Sequence, residues 1–365
     1  MSNKSFWKNK KVLITGHTGF KGSWLSLWLL ELGAKVSGIA LSPNTNPSLF
    51  KLLELSNRLN DNYLEDIRNY SKLENIISKI EPDIVFHLAA QPLVRESYKD
   101  PLGTWSINVM GSLNILSSLS KLKKPCAVVI ITTDKVYKNK EWEFGYREND
   151  ELGGYDPYSA SKAACEIAIK SWRSSFCKKS KMHKPNLNIA TARSGNVIGG
   201  GDWSKDRIIP DAVQALSKKQ VILARNPDST RPWQHVIEPL TGYLILAEKL
   251  FINNSLDNTI EINPFSDSFN FGPNLDSNKK VSELLDQLLI YWPGKWQRQE
   301  ELSTLHETKL LNLNIDKSYK VLRWTPKWNF DITIKRTTKW YRDFYQNKNS
   351  AYSLCLDDLY YYNNF

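Results

Sequence analysis

The sequence predicts an α/β protein: a Rossmann-type doubly wound parallel sheet with a smaller, mixed C-terminal lobe. Three observations carry this. Short apolar runs alternate with helical patterns through the first half of the chain. A glycine-rich turn, Gly16-His17-Thr18-Gly19-Phe20-Lys21-Gly22, lies between the first such run and the first helix. The alternation then loosens after about residue 195, where Gly/Pro/Asn/Asp clusters recur at 199–202, 226–228 and 263–273.

The elements follow in order. Residues 12–15 form a strand run. Trp24, Leu25, Leu27, Trp28, Leu29 and Leu32 supply the apolar face of a helix that ends at Gly33. Residues 35–41 read as a second strand. Residues 73–80 read as a helix stopped by Pro82, and 83–88 as another strand. Residues 105–122 are helical, and Pro125 precedes the apolar run 127–132. Residues 158–176 are helical, and 188–193 form a further strand. The short continuous runs suit strands covered on both faces. Val281–Tyr291 reads as a helix inside the looser half. The expected division is a dinucleotide-binding domain over 1–195 and a mainly substrate-binding lobe over 196–350 with segments returning to the main sheet. A tail rich in Tyr and Asn follows over 351–365.

Composition narrows the function. The chain has 365 residues, 41% hydrophobic and 24% charged, which excludes a disordered, coiled-coil or collagen-like protein. Lys+Arg number 49 and Asp+Glu 38, a net charge of +11. That excess suits any anionic ligand. No nucleic-acid-binding signature accompanies it, so nucleic acid is not expected as a partner. The four cysteines, Cys126, Cys165, Cys177 and Cys355, show no CxxC spacing and no cluster with His, so no metal is expected. The start of the chain is polar and basic, with no apolar leader behind it. No apolar run is long enough to span a bilayer. A cytoplasmic protein with reduced thiols and no membrane partner is expected.

The glycine turn has a physical purpose. Gly16, Gly19 and Gly22 permit a tight turn and close backbone approach to a pyrophosphate, and the helix that follows offers free N–H groups at its start. Thr18, Phe20 and Lys21 belong to the same candidate dinucleotide site. The spacing is GxxGxxG. No Asp or Glu occurs over 40–44, where an acidic residue would meet a ribose hydroxyl, which leaves NADP open beside NAD, although no Arg stands there for a 2′-phosphate. Asp66-Ile67 follows a short strand, and Asp66 either meets the adenine end of the cofactor or caps the next helix.

Tyr158 and Lys162 stand at i and i+4, on one face of a helix. An ammonium nearby stabilises tyrosinate, so such a tyrosine acts as a base nearer neutral pH. The pair follows a strand that ends in Thr132-Thr133-Asp134-Lys135, and strand C-termini line the ligand crevice of parallel sheets.

Turn and pair, in this order, resemble the extended short-chain dehydrogenase/reductase family over most of the chain. Further segments are similar to its nucleotide-sugar 4,6-dehydratase branch: His87-Leu88-Ala89-Ala90-Gln91, Thr133-Asp134, Arg193-Ser194-Gly195-Asn196-Val197 and 229–236. The segments 16–24, 91–95, 133–137 and 200–203 look most like the members that act on CDP-glucose. The alternatives are a dTDP-, GDP- or UDP-sugar dehydratase, or a nucleotide-sugar epimerase.

The resemblance implies an NAD cofactor, a nucleotide-sugar substrate, a homodimer and a place in deoxysugar biosynthesis. It implies that NAD+ takes hydride from C4 of the hexose and returns it to C6 after water is lost across C5 and C6. Tyr158, helped by Lys162, takes the 4-hydroxyl proton, with Thr133 bonded to the same oxygen. Asp134 is the acid for the departing 6-hydroxyl. Lys135 is either the C5 base, which must then lose a proton ordinarily held to about pH 10.4, or a cation that stabilises the enolate while Tyr158 or another base takes the proton. Cofactor contacts are implied for Leu88, Ala89, Ala90, Asn108 and Arg193. Substrate contacts are implied for Gln91, Asn196, Arg207 and Arg231. Trp233 is either a platform for the base or a packing residue.

Overall fold

The structure, a computed structural model, describes residues 3–177, 187–256, 263–299 and 310–365. Seven strands form one parallel sheet: β1 (Lys11–Thr15), β2 (Lys35–Ala40), β3 (Asp61–Leu64), β4 (Ile84–His87), β5 (Cys126–Ile131), β6 (Leu187–Ser194) and β7 (Ser268–Phe271). Their order across the sheet is β7-β6-β5-β4-β1-β2-β3.

The inner strands β4, β5 and β6 are buried along their whole length because helices cover both faces. Along β1, Val12 and Ile14 join one core and Leu13 the other, as the two-residue period of a strand requires. The first core takes in Trp24, Leu25 and Trp28 of the helix Phe20–Glu31, and Leu240 and Leu244 of the helix Ile237–Leu256. The second takes in Leu73 and Ile77 of Tyr70–Ile80, Ile115 and Leu119 of Ser112–Ser120, and Ile169 of Pro157–Phe176.

The chain runs outward from β1 through β2 and β3, then crosses back to β4 on the other side of β1. That reversal opens a crevice beyond the C-terminal ends of β1 and β4, where ligands of such sheets bind. Thr15 pairs with His87 in register, so both strands end level at its floor.

The helix expected over 105–122 is more articulated. Pro101–Trp105 and Ser112–Ser120 are α-helical, and a π-helical stretch, Ser106–Gly111, lies between them and holds the buried Asn108. Such bulges often occur at functional sites. The second half contributes β7 to the main sheet. It also carries short pairs: Ile222–Ala224 with Trp296–Arg298, Thr230–Pro232 with Asn278–Lys280, and Val197–Ile198 with Gln234–His235.

Residues 351–365, read as a tail, instead form the helix Ala351–Asn364, capped by Ser350 and packed on the helix Phe330–Tyr345. Its Tyr362 hydroxyl donates to Glu238 at 2.8 Å, and Arg336 donates to Asp358 at 2.6 Å. Apolar residues at helical spacing (Leu354, Cys355, Leu359, Tyr362) explain the packing. Among the described residues, no helix is long and apolar enough to cross a membrane and no His/Cys/Asp/Glu cluster could hold a metal. All four cysteines are free.

Candidate active site

Gly16 adopts φ +76° at the end of β1, and a Cβ there would lie 2.7 Å from the Ala89 nitrogen. The turn after β1 and the Leu88–Ala90 loop after β4 therefore meet backbone to backbone, which only glycine allows. The helix Phe20–Glu31 begins at Gly19 with no side chain capping it. A backbone cradle before an uncapped helix start fits a dinucleotide pyrophosphate. Thr18 donates to the Leu41 carbonyl at 2.8 Å and ties the turn to the end of β2.

Under this turn lies a chain of bonds that the sequence reading did not single out. Ser112 donates to the Asn108 carbonyl at 2.8 Å, so its oxygen accepts from His87 Nε2 at 2.9 Å. His87 Nδ1 then accepts from the Thr15 hydroxyl at 2.6 Å, and Thr15 accepts from the Ala89 N–H at 3.2 Å. This assigns one ring proton to His87. Burial, aided by Lys162, pushes its pKa down to about 3, so the ring stays neutral. The result is a rigid, uncharged floor. The signal was available in the lone histidine that ends an apolar strand.

The catalytic candidates converge beyond β5. Thr133 caps a short 3-10 turn, Asp134–Val136, and donates to Asp134 at 2.9 Å. Lys135 Nζ lies 3.6 Å from the Asp134 carboxylate, with its side chain 27% exposed. A Cβ on Gly195 would lie 2.8 Å from Asp134 Oδ2, so glycine there leaves Asp134 its place. Asp156 caps the helix Pro157–Phe176, accepting from Ser159 N at 2.9 Å, and Pro157 opens the helix. That start fixes Tyr158 in the first turn and Lys162 one turn deeper.

Lys162 donates to the Ile131 carbonyl at 3.2 Å, and burial lowers its pKa. Burial pushes the Tyr158 hydroxyl up to about 12, although its bond with Thr133 and the Arg207 cation act to lower it. Desolvation outweighs both of these lowering effects. Lys21 is half-buried in the same crevice. Burial above all, then Arg207, draws its pKa down to about 7, while Asp134 acts to raise it.

Other candidates are placed differently. Asp66 accepts a fork of bonds from Arg68, at 3.0 and 2.6 Å, which with the Arg68 N–H holds its carboxyl below the ordinary value. The helix Tyr70–Ile80 is capped by Asn69, so Asp66 is not its cap. Ile67 is buried against Gly111. Asn108 donates to Ser161 at 2.9 Å and to the Gln91 carbonyl at 3.2 Å, and accepts from the Gln91 N–H at 2.9 Å. It joins the π-helical stretch, the loop after β4 and the tyrosine-bearing helix.

The Gln91 side chain is turned onto its own loop, bonding Leu93 and Thr104. Arg193 is buried in an ion pair with Glu166 at 2.9 Å and bonds the Tyr137 hydroxyl at 2.8 Å and the Glu148 carbonyl at 3.0 Å. Burial pushes the Glu166 carboxyl up, but Arg193, Thr132 and Thr191 together hold it below its ordinary value. Glu166 continues the Tyr158, Lys162 stripe by four residues, a spacing visible in the sequence. Trp233 is buried, and its Nε1 donates to the Lys279 carbonyl at 2.9 Å, which makes it a packing residue. Arg207 pairs with Asp202 at 2.9 Å; Asn196 is half-buried before the strand Val197–Ile198; Arg231 lies on the strand Thr230–Pro232.

A dinucleotide cradle beside a buried tyrosine–lysine pair and a Thr-Asp turn defines the extended short-chain dehydrogenases/reductases. Comparison with known proteins narrows this: the chain belongs to the GDP-mannose 4,6 dehydratase family, whose model matches residues 13–337. It is 45% identical to a CDP-glucose 4,6-dehydratase of Salmonella typhimurium over 94% of this chain and 93% of that one. It is 24% identical to a UDP-glucose 4-epimerase of Mycoplasma genitalium over 94% and 98% of the two chains. A dTDP-glucose 4,6-dehydratase from Streptomyces venezuelae, solved with NAD, shares the fold with a TM-score of 0.74 at 21% identity, covering 91% and 97%.

Proposed function

We propose that this protein converts CDP-glucose to CDP-4-keto-6-deoxyglucose, as a hydro-lyase that uses NAD. The observation that carries the reading is the convergence of Thr133, Asp134 and Lys135 with Tyr158 and Lys162 beside the glycine cradle. The 45% identity to the Salmonella dehydratase supports it over nearly the whole chain.

Bound NAD would supply a hydride acceptor for C4 of the hexose and a donor for C6. Gly16, Thr18, Gly19, Phe20, Lys21 and Gly22, with Asp66, Ile67 and Leu88–Ala90, are the residues that would hold it. Tyr158 takes the 4-hydroxyl proton, and Thr133 bonds the same oxygen. Lys162 orders the site from the Ile131 carbonyl. The ketone at C4 acidifies the C5 proton. Asp134 donates a proton to the leaving 6-hydroxyl, which departs as water. Lys135, 3.6 Å from Asp134, either removes the C5 proton or stabilises the enolate while Tyr158 or another base takes that proton. Arg207 and Arg231 receive the diphosphate, which suits their forked donors. An epimerase would have no use for an acid at the position of Asp134.

The half-exposed apolar side chains of Trp105 and Met110 and those of Leu102 and Ile167 lie on neighbouring helices. Their exposure supports a homodimer through those helices, with sedimentation at twice the chain mass. The free cysteines suit a cytoplasmic location.

The test is incubation with CDP-, dTDP-, UDP- and GDP-glucose, with and without added NAD+. A 4-keto-6-deoxy product from CDP-glucose is the expected result. No product from any of them removes the dehydratase reading, and product only from another nucleotide removes CDP. Lys135→Ala should retain C4 oxidation and lose deuterium exchange at C5. Unchanged exchange would eliminate Lys135 as the base.

A further inference from the structure

Two arginines from distant parts of the chain converge on one carboxylate. Arg95 lies on the short helix Val94–Lys99 after β4, and its guanidinium is 3.6 Å from Asp206 Oδ1. Arg225 directly follows the strand Ile222–Ala224 of the second lobe and donates to the same oxygen at 3.0 Å. Its other terminal nitrogen is 3.8 Å from Asp211. Arg207, next in the chain to Asp206, pairs with Asp202 and is close enough to act on Tyr158. The cluster therefore stands at the mouth of the crevice.

Asp206 is the weak member. Its side chain is 51% exposed, against 26% for Arg225 and 37% for Arg95. Its backbone adopts φ +61°, a left-handed conformation that strains a non-glycine residue. An exposed ion pair held by a strained residue is readily exchanged for a better anion. The nucleotide-sugar substrate proposed above offers one anionic group, its diphosphate. We propose that Arg95 and Arg225 form a two-sided diphosphate clamp, and that Asp206 fills the clamp until the substrate displaces it. Two oxyanions spanning both guanidiniums would draw the two lobes together and complete the wall begun by Arg207. The inference rests on the nucleotide-sugar reading and adds Arg95 and Arg225 to Arg207 and Arg231 as residues that seat the diphosphate.

Calorimetric titration of the full chain with CDP and with inorganic pyrophosphate, in the presence of NAD+, tests the clamp. Arg95→Ala and Arg225→Ala should each raise the Kd of both probes about tenfold or more, as loss of a charge-assisted bond requires. Arg→Gln variants, checked by circular dichroism, replace them if alanine does not fold. Asp206→Asn should act with the opposite sign and lower Kd by up to about fivefold, the scale of an exposed ion pair. Asp228→Asn, which breaks the exposed Asp228–Arg298 pair of the same lobe, should leave both values unchanged.

Wild-type affinity in both arginine variants overturns the clamp. So does weaker binding in Asp206→Asn, which would make Asp206 a structural anchor, and so does a wild-type protein that binds neither probe. Turnover of CDP-glucose with unmoved Kd values removes the clamp alone. The predicted Kd shifts without turnover of any nucleotide sugar remove the enzyme reading alone.

Discussion

Two of the places where the molecule buries ionisable groups behave differently. At the crevice, Thr133, Asp134, Tyr158 and Lys162 are buried, yet Lys135 and Lys21 beside them keep partial access to solvent. Beneath the C-terminal helix, Glu238, Asp358, Arg336 and Tyr362 bond to one another or to backbone. Glu238 alone accepts from the Trp328 N–H at 2.7 Å, the Lys327 N–H at 3.0 Å and the Tyr362 hydroxyl at 2.8 Å. Burial of charge therefore does not by itself mark a site. What distinguishes the crevice is the partial access of Lys135 and Lys21 beside a helix start without a side-chain cap, whereas Glu238, Asp358 and Tyr362 are buried against their own partners.

Variants on each side sharpen this contrast. Tyr158→Phe should cost about 10²–10⁴-fold in kcat, the scale of acid–base catalysis, with the melting temperature nearly unchanged. A loss of folding equal to the loss of rate would erase the distinction. Glu238→Ala should do the reverse. It strands two backbone donors and a buried hydroxyl and should cost about 2–4 kcal/mol of stability in denaturant titration, with kcat per folded molecule within twofold. Arg231→Ala should raise KM about tenfold or more and change kcat much less; the opposite split would argue against a phosphate contact.

The smallest effect is on the pH dependence of folding. Burial, opposed by bonds from Trp328, Tyr362 and Lys327, raises Glu238 from 4.5 to about 7. The folded protein then keeps a proton that the unfolded chain releases, so this contribution is full below pH 4.5 and fades as pH rises through 7. Glu238→Gln removes the titration. The melting temperature of the wild type relative to this variant should fall between pH 5 and pH 8. A constant difference would mean that the three donors keep Glu238 ionised throughout.

Much of the site was legible because chemistry at a strand end needs particular residues at particular spacings. The glycine turn, Thr133–Lys135 and the Tyr158–Lys162 pair were read from local patterns, and the fold brings them to one crevice. Arg193 and Gln91 were read from the same kind of pattern, but the fold turns one to Glu166 and the other to its own loop. Spacing along a chain says nothing about which way a long side chain turns. The Arg95–Asp206–Arg225 cluster was illegible for a related reason, since its members are more than 100 positions apart at the extremes.

By itself, the sequence determined the alternation of strands and helices, the doubly wound order that follows from it, and the chemical types in the crevice. These depend on periodicity, glycine and i, i+4 geometry, which act over a few residues. The tertiary structure alone decided the neutral state of His87, the rise of Tyr158 to about 12, the turning of Trp233 into the core, and the docking of 351–364 as a helix. Each depends on which distant groups exclude water from a side chain, and desolvation belongs to the packed molecule rather than to any stretch of its chain.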